Sequence, residues 1–181
     1  MFPPIPSWDG LHPIIIHFPI ALLLVAPIII LIGIFLPKSS RSFLISAFIL
    51  MLIGTIATFV AVSTGGAAGE LAEHANNAES VLEQHEELAE TTQAVFAALT
   101  VIFAVIVFAP MLFKKELSRM VLIPLNLAFL VFYGAGAVLL MNTAHQGGRL
   151  VHEFGVQAMM NKSGTTTPAQ APGSTKADDD D

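Results

Sequence analysis

Residues 13–36 read PIIIHFPIALLLVAPIIILIGIFL, an unbroken apolar run with His17 as its only ionisable side chain. At 1.5 Å per helical residue it reaches about 36 Å, enough to cross a hydrocarbon core of about 30 Å. Three more runs follow, at about residues 43–62, 94–113 and 121–141. Lipid offers the backbone no water partners, so each span must be helical. The reading is an all-α membrane protein. Its four transmembrane helices form a bundle, with a short outer helix between spans two and three. Pro19, Pro27, Pro110 and Pro124 lie in or near the spans, where kinks are expected.

The composition agrees. Of 181 residues, 54% are apolar and 12% charged, with a mean hydropathy of +0.72. A soluble domain carries about 25% charged residues, so an ordinary cytosolic domain is excluded. The chain has no Cys, which excludes disulfides, Cys-ligated iron–sulfur clusters and covalently attached haem. No basic footprint for nucleic acid is present.

Orientation follows from the basic residues. Lys38 and Arg41 follow span one, and Lys114, Lys115 and Arg119 follow span three, whereas 64–93 contains neither Lys nor Arg. The positive-inside rule puts loops 37–42 and 114–120 in the cytoplasm, with both termini and 64–93 outside. Within 64–93, Ser63-Thr64-Gly65-Gly66 is expected to end span two. Residues 67–75 read as the short outer helix, and Asn76 with Glu79 resembles a capping box that starts the next helix. Residues 1–161 form the membrane domain; 162–181, rich in Ser, Thr, Pro and Asp, read as a disordered acidic tail.

All six histidines, His12, His17, His74, His85, His145 and His152, fall on the outer side of this topology. Helical rise places His17 about 28 Å, His12 about 36 Å, His145 about 36 Å and His85 about 42 Å above the inner ends of their spans. Four histidines from three spans thus share one layer, as in bundle-core cofactor sites. His17, inside the apolar run, is the sharpest candidate. His17 with His145 or His85 is expected to ligate haem b, with His12 in the same layer and Arg149 beside a propionate. His74 and His152 are weaker metal candidates. His145 and His152 share a helix face only if the helix survives Gly147-Gly148. Small residues Gly54, Ala57, Thr58, Gly134 and Gly136 suit either close helix packing or room for a ring. Met159 and Met160 extend the His145–His152 spacing and suit copper. His85-Glu86-Glu87-Leu88-Ala89 lacks the second His of a zincin.

The stretches H12-PIIIHFPIA-21 and H145-QGGRLVHEFGV-156 resemble the opening HPxxVHFPIAL and the close HxGGxLVYExGV of a bacterial predicted-membrane-protein family, domain of unknown function twenty-two thirty-one. Ser63-Thr64-Gly65 and His85-Glu86 are similar to its weaker middle motifs. His152 stands where the family pattern has Tyr. The resemblance covers about residues 11–157. It implies a four-helix membrane domain, sometimes joined to Rieske-type or cytochrome domains, and so electron transfer.

The expectation is therefore a b-type haem electron-transfer protein or subunit, with its cofactor near the outer face and other membrane or periplasmic redox proteins as partners. The alternatives are a cofactor-free accessory subunit of a larger respiratory or photosynthetic complex, and a histidine-based transition-metal protein. A stand-alone enzyme is least expected, because the spans contain no Asp or Glu.

Overall fold

The computed structural model describes residues 6–72, 78–114 and 117–156. These are helical and, among them, contain no strand. A 3-10 turn at Asp9–Leu11 leads into α1 (His12–Ile15), α2 (His17–Phe35), α3 (Ser40–Ala72), α4 (Glu79–Leu112) and α5 (Arg119–His152). Four helical segments are long and apolar enough to span a membrane, with α1 and α2 together forming the first. Their outward faces are those of a lipid-embedded bundle: Ile28, Phe35, Ile56, Phe59, Val101, Val131 and Phe132 are all exposed.

α1 and α2 are one rod with a local irregularity. Pro19 has no N–H to give to the carbonyl four residues back, and the neighbouring Ile20 N–H to Ile16 O bond is long at 3.4 Å. Ile16 keeps right-handed helical angles, so the chain direction is preserved. Pro27, Pro110 and Pro124 are carried inside continuous helices.

Two helices run further than the sequence suggests. Ser63–Gly66 does not end span two, and the expected outer helix at 67–75 is, as far as Ala72, the upper part of α3. Within this helix the Thr64 hydroxyl is satisfied by its own backbone, lying 2.9 Å from Val60 O and 3.0 Å from Ala61 O. Gly147 and Gly148 likewise lie inside α5, which continues to His152. Glycine costs a helix about 1 kcal/mol relative to Ala; close packing offsets it at Gly65 and Gly147, not at Gly66 and Gly148, which face open space. α4 begins at Glu79 with Ala78 at the cap. Asn76, proposed for a capping box, lies outside the described residues.

The helices run up and down around the bundle. α2 neighbours α3, α3 neighbours α4, α4 neighbours α5, and α5 closes onto α2, so α2 and α4 are diagonal. The core holds Leu23, Ala26, Ile30, Met51, Phe96, Phe103, Phe129 and Tyr133. Phe103 and Phe129 stack at 4.8 Å, and Phe96 meets Tyr133 edge-on at 5.4 Å. Buried polar groups tie the helices together. The Tyr133 hydroxyl donates to Leu23 O at 2.7 Å, the Thr55 hydroxyl donates to Phe96 O at 3.4 Å, and Thr55 and Thr100 share a 2.8 Å bond. At the loop end, Arg119 donates to Ile34 O at 3.2 Å, satisfying a carbonyl that the end of α2 leaves open. At the opposite end a second small cluster of Ala78, Val81, Leu82 and Leu150 fixes the head of α4 against the end of α5.

Candidate histidine site

At the end of the bundle that holds the start of α1 and the end of α5, two imidazoles turn inward. His12 leads α1 and packs on α3. Its Nδ1 lies 2.9 Å from Ala61 O and 3.2 Å from Thr64 Oγ1. A carbonyl can only accept, so Nδ1 carries the proton and Nε2 keeps a free lone pair. His85 stands in the second turn of α4 and packs on α5. Its Nδ1–H donates to Thr143 O at 3.0 Å, which frees its Nε2 in the same way.

Each ring lies over a glycine one turn beyond the accepting carbonyl. A Cβ on Gly65 would come within 2.9 Å of His12 Cε1, and one on Gly147 within 3.0 Å of His85 Cε1. Only glycine lets a ring lie so close to the helix backbone. The next residue in each helix, Gly66 and Gly148, faces open space. His12 and His85 stand at the same end of the bundle, on helices that lie diagonally across it.

The support beneath His85 is polar. Thr143 Oγ1 lies 3.0 Å from Leu139 O, 3.2 Å from Leu88 O and 2.8 Å from Thr92 Oγ1, so the Thr143 residue that accepts from His85 is bound to α4 by its side chain as well. His85 precedes the apolar span starting at 94 by about 13 Å of helix. Burial holds it below the ordinary histidine value of 6.5, against the opposing bond to Thr143. A neutral imidazole with a fixed tautomer and an open Nε2 is the form that binds a metal.

The other candidates are placed differently. His17 and His145 are exposed, as is His152, and none makes a hydrogen bond among the described residues. His17 follows His12 by five positions, about 140° around a helix, so the two face opposite ways. Arg149 is half-buried beside the site; its Nε donates to Glu153 at 2.9 Å and its Nη1 to Gln146 at 3.0 Å. His74, Met159 and Met160 lie outside the described residues. Gly54 is filled by Leu22 and Leu23, and Gly136 by Val95, Phe96 and Leu99, so both serve helix packing. Gly134 faces open space on an exposed surface. Sequence reasoning named His12 and His85 but missed Gly65 and Gly147 as their seats. The signal was the repeated Gly-Gly pair near the end of the second and fourth helices.

Among the described residues no three His, Cys, Asp or Glu side chains gather to hold a bare ion, so the donors the site offers are two imidazoles, each bonded through Nδ1 to a helix carbonyl. None of the curated proteins or solved structures compared with the chain matches it. Residues 9–159 match the family described as predicted membrane protein (DUF2231). That match covers the whole four-helix bundle and both flanking motifs, so the chain belongs to the DUF2231 family of predicted membrane proteins.

Proposed function

We propose that this chain is a membrane-embedded b-type haem protein that transfers electrons, with its iron held between His12 and His85. The observation that carries the reading is the matched pair of imidazoles. Each is anchored through Nδ1 to a helix carbonyl, at 2.9 Å and 3.0 Å, and each is left with an open Nε2. Anchoring through Nδ1 fixes the tautomer and raises the basicity of the ligating nitrogen. Haem supplies one-electron exchange when bound. The chain's part is to hold two neutral imidazoles on diagonal helices, to exclude water with the core beneath, and to offer Arg149 to an anionic edge.

His12 and His85 replace His17 as the preferred ligands, because His17 is exposed. The basic loops favour an orientation with the histidine end outside; the bacterial inner (plasma) membrane follows from the resemblance to a bacterial family. Exposed Glu79, Glu83, Glu87 and Glu90 on the head of α4 suit a basic redox partner there.

The test is a dithionite-reduced-minus-oxidised spectrum of the purified full chain, with iron measured on the same sample. The expected result is a low-spin b-type spectrum that His17→Ala and His145→Ala leave unchanged. Protein without a reducible Soret band refutes the reading.

A further inference from the structure

The two anchored histidines are related by more than chemistry. A shift of 73 positions carries His12 onto His85, and a shift of 82 carries both Ala61 onto Thr143 and Gly65 onto Gly147. The same shifts reproduce the core. On the leading helices, buried Pro19, Leu23, Ala26, Ile30 and Ile34 fall on buried Thr92, Phe96, Leu99, Phe103 and Val107. On the returning helices, buried Leu44, Ala47, Met51, Gly54 and Thr58 fall on buried Asn126, Phe129, Tyr133, Gly136 and Leu140.

The bonds between hairpins end on equivalent carbonyls, although their donors, Thr55 and Tyr133, differ by one helical turn under the shift of 82. Thr55 of α3 donates to Phe96 O of α4, and Tyr133 of α5 donates to Leu23 O of α2. The two accepting carbonyls are equivalent under the shift of 73. The open glycines, Gly66 and Gly148, are equivalent under the shift of 82. Both hairpins run in the same sense, so the relation is an approximate two-fold axis along the bundle, the parallel-repeat arrangement known among membrane proteins.

We infer that the chain is two fused copies of one helical hairpin, and that its ligand site straddles the axis between them, one ligand per chain taking one Nε2 from each copy. A site on such an axis presents the same group from both sides, which suits a planar group with two equivalent faces. The copies have diverged around it. The second carries Arg149 where the first carries Ala67, and Gln146 where the first carries Thr64. An anionic edge is therefore directed toward α5.

The identity of the ligand rests on the haem reading above; the composite site does not. In the purified full chain, haemochrome analysis is expected to give one haem per chain. His12→Ala and His85→Ala are each expected to give a five-coordinate, high-spin, carbon-monoxide-binding form, and added imidazole to restore the low-spin spectrum in both. Two haems per chain, or a low-spin spectrum unchanged by either substitution, overturns the inference.

A second measurement needs no haem. Gly65→Ala and Gly147→Ala push a Cβ against equivalent rings, so both are expected to lower the melting temperature in detergent by the same amount, within about 2 °C. Gly66→Ala and Gly148→Ala are expected to lower neither. If only one of Gly65→Ala and Gly147→Ala lowers it, the equivalence of the halves is overturned even in a haem-binding protein. If both fall together and no haem is present, the haem reading fails and the equivalence of the two copies stands.

Discussion

Thr92 and Thr143 form the bond that fixes α4 against α5 just below His85, and a double-mutant cycle measures it. The two hydroxyl oxygens are 2.8 Å apart and both side chains are buried. Thr143 has one proton and two carbonyls within reach, Leu139 O at 3.0 Å and Leu88 O at 3.2 Å, so it gives its proton to one of them and accepts from Thr92. Valine matches the shape of threonine, so Thr92→Val and Thr143→Val remove the hydroxyls without opening a cavity. In Thr143→Val the Thr92 hydroxyl can fall back on its own helix, which limits the loss to the interhelical link. Such links within membrane bundles couple by about 0.6 kcal/mol on average, with a ceiling near 1.7. The expected coupling is therefore about 0.6–1.7 kcal/mol, a factor of about 3 to 18 in the unfolding constant. The assay is reversible unfolding in mixed micelles of the parent, both single variants and the double variant. Coupling below about 0.3 kcal/mol would mean the threonines act independently. The seat of His85 on Gly147 would then rest on the cluster of Ala78, Val81, Leu82 and Leu150.

Other predictions concern single sites. Asn126 is fully buried with Oδ1 unpartnered, while Nδ2 donates to Leu122 O in its own helix; Asn126→Leu is expected to raise the melting temperature, by about 2–4 °C for each kcal/mol recovered, and a fall would show that Oδ1 has an unseen partner. Burial lowers the His85 value below 6.5, so the unfolded chain binds the proton more readily. Stability is then full above about pH 6.5 and falls as the pH drops toward the folded value. Unfolding midpoints between pH 5 and 7 should show this slope, reduced in His85→Gln; an unchanged slope in that variant assigns it to other groups, His12 first among them. Tyr133→Phe removes the 2.7 Å bond to Leu23 O and is expected to cost about 1 kcal/mol by the same unfolding assay; no measurable loss would place that bond outside the closure of α5 on α2.

The four spans were legible because span length depends on position along the chain, which helical rise converts into depth. Which histidines turn inward was harder, because that depends on angle around the helix. His12 lies on the stripe that continues through Pro19, Leu23, Ala26 and Ile30, and His17 lies off it. The apolar run containing His17 surrounds the helix on all sides, so hydrophobicity alone gives no direction there. His145 was similarly ambiguous until Thr143 and Gly147 were seen to form the inner face of α5. The sequence ends α3 too early, and leaves the course of α5 past Gly147-Gly148 open, for a different reason. Gly-Gly is a breaker in water, but a glycine under a ring is held in the helix by the ring itself. The two-fold relation was obscured because equivalent buried positions hold different side chains, such as Pro19 and Thr92 or Leu44 and Asn126.

The irregularity at Ile16 gives the two imidazoles unlike mounts. His85 rides within a 34-residue helix whose head is clamped by Leu82 and Leu150. His12 rides on the four residues of α1, which Pro19 partly releases from the rod beneath. The two rings are thus held by different means, His85 by the length of its own helix and His12 by its bonds across to Ala61 O and Thr64 Oγ1 of α3. If a ligand binds between them as proposed, a substitution in the short turn of α1 is the one that would shift a ring without disturbing the packed core.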